Sequence, residues 1–264
     1  MNWLTGNATY DTVLLFSFGY VVFVILGSIF MPAPYGRFSS DKFGLNLSPK
    51  LGWFLMELPA SLMFIYFFFQ GKNCFEVVPL LFLVVWLVHY ANRGFMFPLL
   101  MRTAKGAQGS FGLMVVLTGW LAVGLHGYLN ATYIADVGTH FTLDWLTSPS
   151  FIVGITLYYA SYVLNIHSDG IIRNLRSKEE IAQGSRVYRV PQGGLFKYVS
   201  NPSYLTELTG WAGFTLATGS PGGLFIFLIS LANLLPRAFK THQWYNENFP
   251  DYPQERKVIV PFLI

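Results

Sequence analysis

Long apolar runs alternate along the chain with short polar ones. Five runs, at about 11–31, 51–70, 77–101, 111–130 and 147–166, approach the roughly 20 residues that a helix needs to cross a bilayer. A further apolar region is broken by Gly219-Ser220-Pro221-Gly222-Gly223 into two shorter runs, about 204–219 and 221–236. The pattern predicts an all-α integral membrane protein of seven transmembrane helices, forming one membrane domain over 1–264. Polar residues gather in three segments, about 32–50, 167–203 and 237–264. The middle one exceeds the length at which a loop is usually either functional or disordered. Its stretch VYRVPQGGLFKYVS, Val187 to Ser200, is aromatic and turn-forming, the composition of a segment that folds over something.

The distribution of Lys and Arg tests the span count independently, because cytoplasmic loops are enriched in them. The N-terminal stretch has none, and neither does 131–146. Arg37, Lys42 and Lys50 follow the first run, Arg102 and Lys105 the third, six basic residues from Arg173 to Lys197 the fifth, and Arg237, Lys240, Arg256 and Lys257 the last. Only Lys72 breaks the alternation, which places the N-terminus outside and the C-terminus in the cytoplasm. With 53% hydrophobic and 11% charged residues, the chain is far from a soluble composition. Its net charge of +4 follows from the topology and calls for no nucleic-acid partner. One cysteine, Cys74, excludes an intrachain disulfide and a cysteine-based metal site, and no metal is expected. The first run is too long for a signal-peptide core and lacks a basic leader, so it is expected to be a retained helix. Asn7-Ala8-Thr9 and Asn130-Ala131-Thr132 match glycosylation sequons, for which chance accounts well enough.

Against this background the ionisable residues inside the spans stand out. Glu57 lies in GWFLMELPA at the head of the second span, Arg93 follows HYAN in the third, and Glu207 follows NPSY at the start of the sixth. A charge at mid-bilayer costs roughly 2.5–3.5 kcal/mol on insertion scales, so such residues face a partner or a cavity. A structural ion pair, Glu57 with Arg93, is one reading. The other pairs Glu57 with Tyr90: counted from the loop at 70–76, each is about 14 residues into its helix, or ~20 Å at 1.5 Å per residue. A carboxyl out of water favours its uncharged form. Glu57 and Tyr90 together could then donate to one carbonyl in apolar surroundings. Beyond the fifth span, Asn165, His167 and Asp169 precede Arg173 and Arg176, which three residues apart are expected on one helical face. That set suits an anionic ligand such as a nucleotide phosphate, which arginine binds bidentately.

The block Tyr188 to Ser200, the upstream NIHSDGIIRNLR, the helix start WFLMELP, the VHYANR of the third span and the closing RAFKTHQWYNENFPDYPQERKVIVPFLI together resemble the steroid 5α-reductase (3-oxo-5α-steroid 4-dehydrogenase) family. The resemblance covers most of the chain. It implies an oxidoreductase of steroid and lipid metabolism that reduces the Δ4 double bond of 3-oxo-Δ4 steroids with NADPH, by hydride transfer to carbon 5. Glu57 and Tyr90 match the family's pair on the steroid 3-carbonyl, which puts the carbonyl site mainly in 51–101. Asn165, Asp169, Arg176, Tyr188, Glu207, Arg237 and Tyr245 match positions around NADPH, and the resemblance adds Tyr35 and Arg93. His167, Arg173, Ser203 and His242 complete the expected cofactor set, mainly within 165–264. NADPH would be held without a G-x-G-x-x-G turn, which the chain lacks. Met56 stands where vertebrate members usually carry Gln, Ser203 where Asn is common and Thr241 where His is common.

The rival enzyme is a membrane methyltransferase of the isoprenylcysteine type using S-adenosylmethionine, which shares an Asn-Pro-x-Tyr turn followed by Glu but has no place for WFLMELP and HYANR. Another sterol or lipid enone reductase is a second alternative. A non-enzymatic lipid carrier would need no nucleotide-sized polar segment. The expected partners are a steroid, NADPH and the lipid bilayer, with the chain monomeric, in a bacterial inner membrane or the endoplasmic reticulum.

Overall fold

The computed structural model describes residues 4–30, 45–103, 111–184 and 187–264. Tyr35 therefore lies outside the described residues. The long helices are α1 (Ala8–Phe30), α2 (Pro49–Phe68), α3 (Val77–Tyr90), α5 (Leu113–Thr132), α6 (Pro149–Arg173), α8 (Pro202–Thr218) and α9 (Pro221–Asn248). Short helices α4 (Phe97–Leu100) and α7 (Lys178–Ala182) accompany them, and a two-residue antiparallel pair joins β1 (Asn46–Leu47) to β2 (Phe111–Gly112).

Helix starts follow a repeated dipeptide. Ser48-Pro49, Ser148-Pro149 and Ser220-Pro221 each put a serine at the N-cap, its hydroxyl accepting from backbone N–H groups of the first turn, and a proline where a missing N–H costs nothing. Gly219 ends α8 in the left-handed conformation, φ 59°, which only glycine adopts freely. The expected break between the last two apolar runs is therefore a real turn.

Among the described residues, six stretches are long and apolar enough to cross a membrane: 8–28, 49–68, 77–100, 113–137, 149–173 and 221–248. The seventh expected span is α8, at 17 residues one of the shorter long helices. It packs between α6 and α9. Lys72, the one basic residue out of pattern, sits 3.5 Å from Asp136 at the rim. Asn130 is fully buried, and Asn7 caps α1 by accepting from the Tyr10 N–H at 3.0 Å, so both sequons have structural uses.

The expected shared face of Arg173 and Arg176 does not exist. Helix α6 ends at Arg173 with Asn174 as its C-cap, and Ser177 opens α7 through a capping box with Glu180. Arg176 lies in the turn between them, its carbonyl accepting from Arg102 at 3.5 Å.

Small residues set the helix spacing. A Cβ on Gly154 would lie 2.3 Å from the backbone N of Ala217, and one on Gly213 would lie 2.7 Å from the Gly154 carbonyl, so α6 and α8 touch backbone to backbone. Between α2 and α5, Gly119 receives Met56 and Gly127 receives Met63 and Phe64. Pro59 cannot donate to the Leu55 carbonyl within α2. Trp120 of α5 does so instead, at 2.6 Å, two residues before Glu57.

Candidate functional site

Helices α2 and α3 carry the two central groups. Glu57 is 8% exposed and Tyr90 2%. Both line a cavity of about 440 Å³ walled by α1, α2, α3, α5, α8 and α9, within the usual range for a small-molecule pocket. Its walls are mostly apolar, with Phe23, Val24, Met56, Val123, Ile226 and Ile229 among them. No hydrogen bond joins Glu57 to Tyr90, and neither side chain hydrogen-bonds any other described residue. The expected direct pair is thus two separate groups open to one space. Each is carried by its own helix: Trp86 stacks on Phe64 with ring centres 4.1 Å apart and lies tilted against Tyr90 at 5.1 Å, bracing the phenol from the α3 side.

Immediately after Tyr90 the chain forms a π-helical turn, Ala91–Met96, a departure that often marks functional sites. It places Arg93 with its guanidinium 4.6 Å from the Trp53 ring centre and 5.1 Å from that of Phe97. Trp53 in turn donates its indole N–H to the Arg93 carbonyl at 3.2 Å. The carboxylates near Arg93 are Asp169 at 3.9 Å and Glu207 at 4.0 Å. Glu57 is not among them, so the simple Glu57–Arg93 ion pair is absent. Glu57 keeps its lining place because Asp169 and Glu207, arriving from α6 and α8, take the guanidinium.

Around that centre the expected residues of 165–207 interlock. Ser203 donates from its hydroxyl to Asp169 at 2.7 Å. The Asn165 amide donates to the Ser203 carbonyl at 2.9 Å and to the Thr206 hydroxyl at 3.0 Å. The Trp211 indole N–H donates to Glu207 at 2.8 Å, one helical turn on. A void of about 20 Å³, enough for a water-sized group, is enclosed beside Arg93 by Asn92, Asn165, Glu207 and Tyr162. His89 lines both this void and the large cavity, and both its ring nitrogens are buried without a hydrogen-bond partner among the described residues.

The remaining expected residues fall elsewhere at the same end. His242 shares a short contact of 2.6 Å with the Ser200 hydroxyl, which also meets the Tyr252 hydroxyl at 2.6 Å. Tyr245 stacks on Tyr252 with ring centres 5.2 Å apart. Arg237 is buried in α9, and Tyr188 lies exposed with its ring edge against Trp244. His167 is exposed beside Gly194, and Arg173 closes α6. The structure therefore brings together Arg93, Asn165, Asp169, Ser203 and Glu207, and places His242 with Tyr245 in a second cluster. Arg173 stands close enough to Asp169 to act on its charge, and Tyr188 reaches the second cluster through Trp244, whose ring lies 5.3 Å from that of Tyr245; His167 and Arg176 join neither through a described hydrogen bond.

Sequence reasoning missed His89, Trp53, Trp211, Ser230 and Asn233, all on the cavity wall. Trp211 was accessible through its spacing of four from Glu207. The others sit in apolar runs whose facing neighbours only the folded chain supplies.

Comparison with known proteins gives the family. Residues 110–264 match the family model described as 3-oxo-5-alpha-steroid 4-dehydrogenase. A rat protein named 3-oxo-5-alpha-steroid 4-dehydrogenase 1 is 35% identical over 255 residues, covering 96% of this chain and 95% of its own length. Its mouse counterpart is 36% identical over 254 residues, with 95% and 96% coverage. A steroid 5-alpha-reductase DET2 of Solanum lycopersicum is 34% identical over 256 residues, with 93% and 96% coverage. The chain belongs to the 3-oxo-5-alpha-steroid 4-dehydrogenase family.

Proposed function

We propose that this protein reduces the Δ4 double bond of 3-oxo-Δ4 steroids to 5α-reduced products, with NADPH as reductant, inside the bilayer. One observation carries the reading: a buried carboxyl and a buried phenol, from neighbouring helices, open onto a single apolar cavity with no hydrogen-bond partner among the described residues. Both groups are short of a partner that a ketone oxygen would supply. Tyr90 and uncharged Glu57 donate to that oxygen, the charge that grows on it as carbon 5 takes up hydride meets donors already in place, and a proton from Tyr90 or from water at carbon 4 completes the reduction. In a water-poor site such preorganised donors are usually the largest catalytic contribution. The apolar walls bury the rings and keep water from the donors.

The nucleotide fits the polar floor of the site. Arg93, Asn165, Asp169, Ser203 and Glu207 offer donors and acceptors beside the cavity, and the His89 ring borders the same floor. NADPH, when bound, supplies the hydride. The chain's own residues hold the two molecules together and exclude water. The lower cluster of His242 and Tyr245, with Arg237, would hold the rest of the nucleotide on the cytoplasmic side. The basic residues of 173–197 and 237–257 support a cytoplasmic C-terminus and an outer N-terminus by the charge rule.

The test is incubation of purified, detergent-solubilised protein with testosterone or progesterone and NADPH, followed by product identification. A 5α-reduced 3-ketosteroid is expected, formed with NADPH and not with S-adenosylmethionine. Recovery of unreacted enone under saturating NADPH would refute the proposal.

A further inference from the structure

Two polar side chains in the cavity wall have no work in the mechanism above. Ser230 and Asn233 lie three residues apart on α9 and both line the large cavity. Among the described residues neither side chain makes a hydrogen bond, although most hydroxyls in these helices do. Ser17, Thr118, Ser168, Thr209 and Thr215 each donate back to the carbonyl four residues earlier, which quiets a hydroxyl in an apolar setting. Apart from Tyr90, the other hydroxyls on this cavity wall are engaged too: Thr118 donates to Met114, Tyr20 to the Thr118 carbonyl at 3.3 Å and Ser28 to the Ile25 carbonyl at 2.9 Å. Beside Glu57, Tyr90 and His89, the α9 pair is what presents unspent hydrogen-bonding capacity to this space among the described residues. An asparagine in the middle of an apolar span disfavours the helix relative to leucine and is costly in lipid, so it is retained where it meets something.

The helix registers fix where the pair stands. Ser220 donates to Asn130 at 3.1 Å, which sets the start of α9 level with that turn of α5. Ten residues down α5 from Asn130 is Trp120, beside the Gly119 that receives Met56, so this level is that of Glu57. Ten residues down the antiparallel α9 from Ser220 is Ser230. Helices α2 and α9 each pack on α5. Glu57 and the Ser230–Asn233 pair therefore face the cavity at one depth from different walls.

We infer that Ser230 and Asn233 form a second polar subsite, which hydrogen-bonds an acceptor oxygen on a molecule whose ketone is held at Glu57 and Tyr90. The inference rests on the reading of this cavity as the steroid pocket, and it assigns to Ser230 and Asn233 the positioning of a second steroid oxygen remote from the enone. A serine hydroxyl and an asparagine amide donate to a carbonyl or hydroxyl oxygen, and an apolar skeleton without one leaves both unpaired, which is how such sites reject the analogue. The carboxamide of the nicotinamide has the same acceptor chemistry, and the experiment separates the two sources.

Equilibrium titrations are read by quenching of the cavity tryptophans Trp53 and Trp211, in wild type, Ser230→Ala and Asn233→Leu. The ligands are testosterone, androst-4-en-3-one, which lacks the oxygen at carbon 17, NADP⁺, and 2′-phospho-ADP-ribose, which lacks the nicotinamide. Wild type is expected to bind testosterone at least about tenfold more tightly than androst-4-en-3-one, and Asn233→Leu to bring the two within about twofold by weakening testosterone alone. If Asn233→Leu instead weakens NADP⁺ about tenfold and leaves both steroids and 2′-phospho-ADP-ribose unchanged, the acceptor is the nicotinamide carboxamide and the steroid subsite is overturned. Ser230→Ala gives the smaller version of whichever pattern holds, and provides a second reading should Asn233→Leu fold poorly. Unchanged affinities for all four ligands in both variants would overturn the inference. Because binding and not turnover is measured, a protein that binds these steroids and reduces none would refute the reduction while still deciding the subsite.

Discussion

Replacing Glu57 tests the chemistry most directly, because the carboxyl is the least affordable group in its helix and the structure gives it no structural duty. Its side chain hydrogen-bonds no described residue, it is 8% exposed, and the nearby Arg93 is already engaged by Asp169 and Glu207. Glu57→Ala removes one of two donors to the ketone oxygen, and loss of one such donor typically lowers kcat about 10²–10³-fold, or about 2.7–4 kcal/mol. It also removes a buried polar group from an apolar wall, so stability should hold or rise slightly. Glu57→Gln retains a donor of the same reach and should keep about a tenth or more of the wild-type rate, the smaller loss reflecting a neutral amide in place of an acid. The assay is single-turnover reduction of testosterone at saturating NADPH, paired with a thermal unfolding scan in the same detergent. A Glu57→Ala protein that turns over within about threefold of wild type, or whose activity is lost only because its Tm collapses, would refute the role.

Four further outcomes follow from the packing and the site. Trp211→Phe deletes the 2.8 Å indole bond to Glu207, and the loss of a hydrogen bond to a charged group, about 1.5–3 kcal/mol, should raise the NADPH KM roughly tenfold with little change in steroid KM; an unchanged cofactor KM would count against Glu207 as a cofactor residue. Arg93→Lys keeps the charge but loses the planar stack on Trp53 and Phe97, so NADPH affinity should fall severalfold by isothermal titration. Gly154→Leu forces a side chain against the backbone of α8, where a Cβ alone would lie 2.3 Å from Ala217 N, and should abolish folded yield as judged by size-exclusion chromatography; recovery of monodisperse protein would mean α6 and α8 do not meet there. Arg176→Ala, in a turn away from the interlocked cluster, should leave NADPH KM within about threefold if the cofactor site is centred on Arg93, Asp169 and Glu207, whereas a large rise would restore the phosphate role expected from its motif.

Apolar run lengths alone were enough to announce the spans, because a helix in lipid must satisfy every backbone group internally and its length is set by the bilayer. The turn at Gly219-Ser220-Pro221 was equally legible, since left-handed backbone and a serine N-cap are local chemistry. Glu57, Tyr90, Arg93 and Glu207 announced themselves by being polar where lipid penalises it, and the cavity gathers all four. Their partners were not legible. Whether Arg93 meets Glu57 or Asp169 depends on a π-helical turn after Tyr90 and on the side from which α6 and α8 arrive, neither of which a spacing encodes. The fate of Arg176 turned on where α6 stops: periodicity extends a helix, and a C-cap followed by a new N-cap ends it. Asn233 looks unremarkable in LISLANLLPR until antiparallel packing on α5 brings it level with Glu57. The order of residues along the chain thus determined which groups must leave the lipid, through the cost of burying them, while tertiary packing decided which of them share a space and which are left with hydrogen bonds still to make.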